Sequence, residues 1–216
     1  DLECGTHPPL DPVWAEELVR RGERLSPLGN NCSGKHAGKL LACRLRGWPS
    51  AGYLEGDHPL QQEILAGLAR AAGLEPAAIG FAVDGCSAPT YRLPLRAMAR
   101  LYAGLAEPEA AGLGPATGHL ARAARAMAAR PDMVAGPGRF TTRLIEVTRG
   151  RLIGKEGHEG LYGVAVRGPV RLGVAVKIAD GADRPRSAVV LELLGRLGVL
   201  SGAELAELAP FARELR

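Results

Sequence analysis

Aromatic residues are scarce: Phe, Trp and Tyr together make up 4% of this 216-residue chain. An interior built on stacked rings is therefore excluded, and Leu, Val, Ile and Ala must fill it. At 46% hydrophobic residues there is enough of them for a sizeable core, in one large domain or two small ones. No apolar run approaches the roughly 18 residues that read as a membrane span, so no membrane partner is expected. A secretory leader pattern is missing as well. The net charge of +4 is spread along the chain without a long Lys or Arg run. Such an excess reads as a solvated surface and predicts no nucleic-acid partner. Four cysteines (Cys4, Cys32, Cys43 and Cys86) are too few, in too long and apolar a chain, for a secreted disulfide framework. Ligand or reduced-thiol use in a reducing, cytoplasmic setting fits them better.

Also missing are a regular strand–helix alternation, internal repeats and low-complexity tracts. What is present is a helical first part followed by strands. Helices are expected over residues 12–24, 32–46, 59–72, 95–105 and 116–130. In the third, Leu60, Ile64, Leu65 and Leu68 recur at helical spacing, Asp57 is placed to cap, and Gly73 follows the end. Alternation predicts strands over 141–148, 161–166 and 170–178. In the last, Val170, Leu172, Val174, Val176 and Ile178 fall at every second position. A helix from near Asp183 follows, then another at Ser201, where Glu204 three residues on makes a capping box. The pattern is α+β. It divides into a mainly helical part, 1–135, and a part with antiparallel strands and C-terminal helices, 136–216, with the seam in the Gly/Pro-rich stretch 135–138.

The chemistry is densest at Asn30-Asn31-Cys32-Ser33-Gly34-Lys35-His36 and at Asp84-Gly85-Cys86. Cys32 and Lys35 lie three residues apart, so a helical turn puts them on one face. Cys86 comes from another loop-like stretch. Two thiolates converging from separate segments are a natural way to hold zinc. The bland alternative makes Cys32 and Cys86 small buried hydrophobes and Lys35 a surface charge. Polar flanks around both cysteines suit an open site better than a core. Asp84 could orient a ligand or simply form a turn. His36 could be an acid–base group or merely a polar residue at a helix start. Cys4 and Cys43 read as structural. Gly29 to His36 comes within one residue of a phosphate-binding loop, but His36 stands where Ser or Thr must hold magnesium, and charged residues 20–24 replace the upstream strand.

Five ordered motifs resemble the zinc-containing L-asparaginases of the asparaginase II family. They are residues 31–38, Asp84-Gly85-Cys86, residues 130–136 (Arg-Pro-Asp-Met-Val-Ala-Gly), Gly154-Lys155 with Glu159-Gly160, and Lys177-Ile178-Ala179-Asp180-Gly181. The resemblance implies a serine β-lactamase-like fold and a homodimer. It implies zinc on Cys32, Lys35 and Cys86 with water completing the shell, and Ser33, His36 and Asp84 beside substrate or ligands. Lys155 would pair with a catalytic serine hydroxyl, and L-asparagine would be hydrolysed to aspartate and ammonia. Three positions depart from the family's usual residues: Thr141 for aspartate, Ser87 for glycine and His158 for alanine.

One element of such a site is missing. β-Lactamase-like enzymes carry nucleophile and base as Ser-x-x-Lys, and none of Ser26, Ser33, Ser50, Ser87, Ser187 or Ser201 has a lysine three residues on. The expectation is that the nucleophile belongs to a segment upstream of Asp1, and that the sheet lacks its first strands. A noncatalytic zinc-stabilised binding module is the alternative.

Overall fold

Capping chemistry sets the first helices. The computed structural model describes residues 2–215. In it the Asp11 carboxylate accepts from the backbone N–H groups of Val13 and Trp14 and starts α1, Pro12–Arg20. Helix α2, Ser33–Arg46, ends at Gly47 with φ 69°, the left-handed conformation glycine adopts freely. Helix α3 spans Pro59–Ala72. Its first turn is held by His58, not by Asp57: His58 Nδ1 accepts from the Leu60 N–H at 3.1 Å, while Nε2 donates to the Pro49 carbonyl at 3.0 Å. Both ring nitrogens are thus used, which fixes the tautomer.

Strands β1, Gly80–Val83, and β2, Pro89–Arg92, form an antiparallel hairpin with Val83 opposite Pro89. Asp84-Gly85-Cys86 is its turn. With α1–α3, in the chain up to Arg70, and the rest of Leu74–Leu93, this hairpin makes one compact unit. Its interior is small, with one cluster around Cys43, Tyr53 and Leu60 and another around Cys4, Cys86 and Ala88.

The second unit comprises Ala71–Gly73 and the chain from Pro94 onward. It holds α4 Leu95–Ala106, α5 Thr117–Ala129, α6 Asp132–Ala135, α7 Phe140–Val147, β3 Leu152–Glu156, β4 Leu161–Val166, β5 Leu172–Lys177, α8 Arg186–Arg196 and α9 Gly202–Leu208. The strands form an antiparallel sheet in the order β3-β4-β5. Helix α4 lies against β4 and β5 because Gly163 and Gly173 face it. A Cβ at Gly163 would strike the Tyr102 ring, and one at Gly173 would strike the Ala99 carbonyl and the Ala103 N–H. The main core joins Phe140, Leu144, Tyr162, Val164, Val190 and Leu194. The capping box is formed, with Ser201 accepting from the Glu204 N–H and Glu204 from the Ser201 N–H.

The sequence expectation fails at residues 141–148, which form α7 rather than a strand. Phe140, Leu144 and Ile145 are buried at spacings of four and five, and Thr148 Oγ1 donates back to the Leu144 carbonyl at 2.7 Å. Tertiary packing overrides the β-branched composition here. Gly154 and Lys155 belong to strand β3. The class stays α+β, with helices and small antiparallel sheets. No helix among the described residues is long and apolar enough to cross a membrane.

Candidate metal centre

Cys32 is presented by a lock built from Asn30. The Asn30 side chain is almost fully buried. Its Nδ2 donates to the Cys4 carbonyl at 2.7 Å and to the Gly5 carbonyl at 3.2 Å, while its Oδ1 accepts from the Cys32 N–H at 2.8 Å. One amide therefore pins the start of the chain to the residue that opens α2. Cys32 occupies the N-cap position, and Lys35 follows one turn on. Across from them the β1–β2 turn supplies Asp84 and Cys86. The turn is tight: Ser87 sits at φ 65°, a left-handed conformation that favours glycine. That is the physical meaning of serine standing where the resembling family has glycine.

Four groups meet. Lys35 Nζ lies 3.3 Å from Cys86 Sγ and 3.7 Å from Asp84 Oδ2, and the Cys86 thiol is 3.6 Å from the same carboxylate oxygen. The ligand atoms of Cys32, Asp84 and Cys86 all fall within 4.8 Å of one another. Burial pulls the Lys35 pKa down, but the contact with Cys86 and the nearby Cys32 and Asp84 outweigh it, so the ammonium form is favoured. Burial pushes the Cys32 thiol up and Lys35 opposes it, with the net shift upward. Lys39, one turn further along α2, is lowered first by burial and then by Lys35.

His36 points elsewhere. It is fully enclosed, with Nδ1 2.6 Å from the Tyr53 hydroxyl and the two rings edge to face at 5.8 Å. Tyr53 Oη also accepts from the Glu3 N–H at 3.2 Å. Nε2 has no hydrogen-bond partner among the described residues. Burial, then Lys35 and Lys39, hold the imidazole pKa below its ordinary value. The neutral imidazole is thereby favoured, and His36, within α2, sits enclosed against Tyr53. Ser33 is the first residue of α2, and its N–H donates to the Asn30 carbonyl at 2.9 Å.

Lys155 belongs to the second unit. It lies on β3 opposite Gly163, and its Nζ donates to the Glu156 carbonyl at 2.7 Å. Glu156 is gripped by Arg186 at 2.9 Å and Arg139 at 3.1 Å, so this strand end is ordered by ion pairs. Thr141 is fully buried and shares a 2.8 Å hydrogen bond with the Tyr162 hydroxyl. Sequence reasoning named Asn30 only as a polar flank and missed Tyr53 altogether. A lone Tyr in Ser50-Ala51-Gly52-Tyr53 carries no pattern that could have shown it.

The donor set suits zinc. Two thiolates at about 2.3 Å from a tetrahedral ion stand about 3.8 Å apart, a spacing the cluster can meet with small movements. The two sulfurs match the ion's softness, while the Lys35 nitrogen can join them only by giving up the proton that its neighbours favour. Cys4 is not in this donor set: it packs in the apolar cluster with Cys86 and Ala88, and its thiol faces the Pro27 carbonyl at 3.5 Å.

An α+β protein with a thiol, amine and carboxylate cluster at a helix start is thereby defined. The chain belongs to the L-asparaginase II family, whose family model matches residues 1–216. That membership suggests a hydrolase acting on asparagine. Among curated proteins, none matches the chain.

Proposed function

We propose that the protein hydrolyses the side-chain amide of L-asparagine to L-aspartate and ammonia through a serine/lysine mechanism. The observation that carries this reading is the family match along residues 1–216. On this reading a serine hydroxyl attacks the amide carbon and its proton passes to a base. Ammonia leaves, and water then hydrolyses the acyl-serine to release aspartate. Lys155 helps activate the hydroxyl. Cys32, Lys35 and Cys86 hold zinc, and Asp84, near both Lys35 and Cys86, orients them. When bound, the zinc supplies Lewis-acid polarisation or positioning of the substrate. Ser33 lines the site, and His36 with Tyr53 supports the helix turn beneath it. The frame proposed is serine β-lactamase-like, and the antiparallel sheet flanked by helices is compatible with it. A cytoplasmic homodimer with no nucleic-acid or membrane partner completes the proposal.

The test is ammonia release by the full-length protein supplied with L-asparagine and, separately, L-glutamine. Asparagine is expected to be the better substrate, and Lys155→Ala to lower kcat by about 100-fold or more with zinc content unchanged. No ammonia from asparagine, or wild-type turnover by Lys155→Ala, would refute it. The missing Ser-x-x-Lys within residues 1–216 favours a second reading, a noncatalytic zinc-stabilised module. That module would bind zinc and release no ammonia.

A further inference from the structure

The arginines scattered through the second half of the sequence are gathered by the fold. An open cleft of about 780 Å³ in the second unit is lined by Arg125, Arg149, Arg151, Arg167 and Arg171, against only Glu107 and Glu109. The elements explain the convergence. Arg125 is on α5, Arg149 and Arg151 lie in the α7–β3 turn, and Arg167 and Arg171 lie in the β4–β5 connection. Two of the five are spent on carboxylates. Arg171 pairs with Glu107, and Arg151 forks onto Glu204 at 2.8 and 2.9 Å while donating to the Val199 carbonyl at 2.6 Å.

The other three have no carboxylate within ion-pair distance among the described residues. Arg125 and Arg149 are exposed, and Arg167 donates only to the Gly150 carbonyl, at 3.3 Å. Arg149 also holds φ 51°, a conformation in which glycine or asparagine is the usual occupant. Guanidinium groups without carboxylates, facing one concave and mostly polar volume, match the forked geometry of phosphate and carboxylate oxygens. The volume is that of a small-molecule site.

We propose that this cleft binds a compact polyanion, a small molecule carrying several phosphate or carboxylate oxyanions. All the lining residues belong to the second unit, none of them is Cys32, Lys35 or Cys86, and the proposal is independent of the amidase reading. Isothermal titration of the full protein at low ionic strength, with sodium pyrophosphate in one arm and citrate in the other, tests it. One anion per chain is expected to bind, more weakly as salt is added. Arg125→Gln combined with Arg149→Gly should weaken binding about tenfold or more. Glycine suits the Arg149 backbone, so the unliganded Tm should hold. Arg196→Gln, on α8, should leave binding unchanged. Preference for pyrophosphate assigns phosphate as the natural group, and preference for citrate assigns carboxylate. Failure of both anions to bind, or equal binding by the double variant, overturns the proposal.

Discussion

At the scale of single residues, the candidate site depends on side chains whose roles are set by hydrogen bonding rather than by reactivity. Asn30 shows this: its amide satisfies two carbonyls and the Cys32 N–H at once. That Cys32 and Lys35 come close was legible in the sequence, from their three-residue spacing at a helix start. Asn30's role was not, because an asparagine beside a helix start has many ordinary uses. Ser87 is a case where structure turns a family departure into a measurable cost. Its left-handed φ is strained for a side-chain-bearing residue, by about 1 kcal/mol. Ser87→Gly is expected to raise the unfolding free energy measured in urea by about 1 kcal/mol, with zinc content unchanged. A fall in stability would show that the Ser87 side chain makes a compensating contact.

At the scale of elements, strong period and clear caps were readable, and strands too short or too exposed to show alternation were not. Helices α2 to α5 and strands β4 and β5 show in the apolar spacing. Strands β1 and β2 are four residues each, and three of the four in β1 are exposed, so no alternation marks them. Strand β3 hides behind Gly154 and Lys155. Glycine is required there because a Cβ would strike the Tyr162 hydroxyl. Helix α7 was misread because Thr141 to Thr148 is rich in β-branched residues, yet its buried set has helical spacing.

The closest element contact, α4 on β5, rests on Gly173. Gly173→Ala places a methyl against backbone, which cannot swing aside, and should cost about 3 kcal/mol or more. Near-wild-type stability in urea unfolding would mean that α4 can lift from the sheet. Glu204 gives a pH signature. Burial pushes its carboxyl up, but Ser201 and Arg151 outweigh that and hold it below its ordinary value of 4.5. The unfolded chain therefore takes up this proton first as the pH falls. The stabilisation is complete above about pH 4.5 and is lost as the pH drops through the lower, folded value. Glu204→Gln keeps a cap-competent side chain but loses the ion pair. It should cost about 1 kcal/mol at neutral pH and flatten the acid limb of the stability curve. An unchanged acid limb would assign the slope to other groups.

At the scale of the whole molecule, the two units differ in how they are held. The second has a continuous apolar core around Tyr162, Val164 and Leu194. The first has two small clusters, one of them built on Cys4 and Cys86. A metal on Cys32 and Cys86 would tie a helix start to a hairpin turn where hydrophobic burial is thin, and the binding energy would then add to folding. Composition foretold the aliphatic core, and the order of helical and alternating segments foretold the α+β class. It could not foretell the arginine-lined cleft, since its arginines are dispersed in sequence and only the fold brings them together.

Cys32, Lys35 and Cys86 are proposed to form a zinc site that ties the start of α2 to the β1–β2 turn. It is tested most directly by counting metal per chain by mass spectrometry on purified protein, with Cys32→Ser and Cys86→Ser beside wild type. About one zinc per chain is expected in wild type, lost in both variants. A wild-type protein purified with zinc available that holds none, or variants that keep it, would contradict the claim.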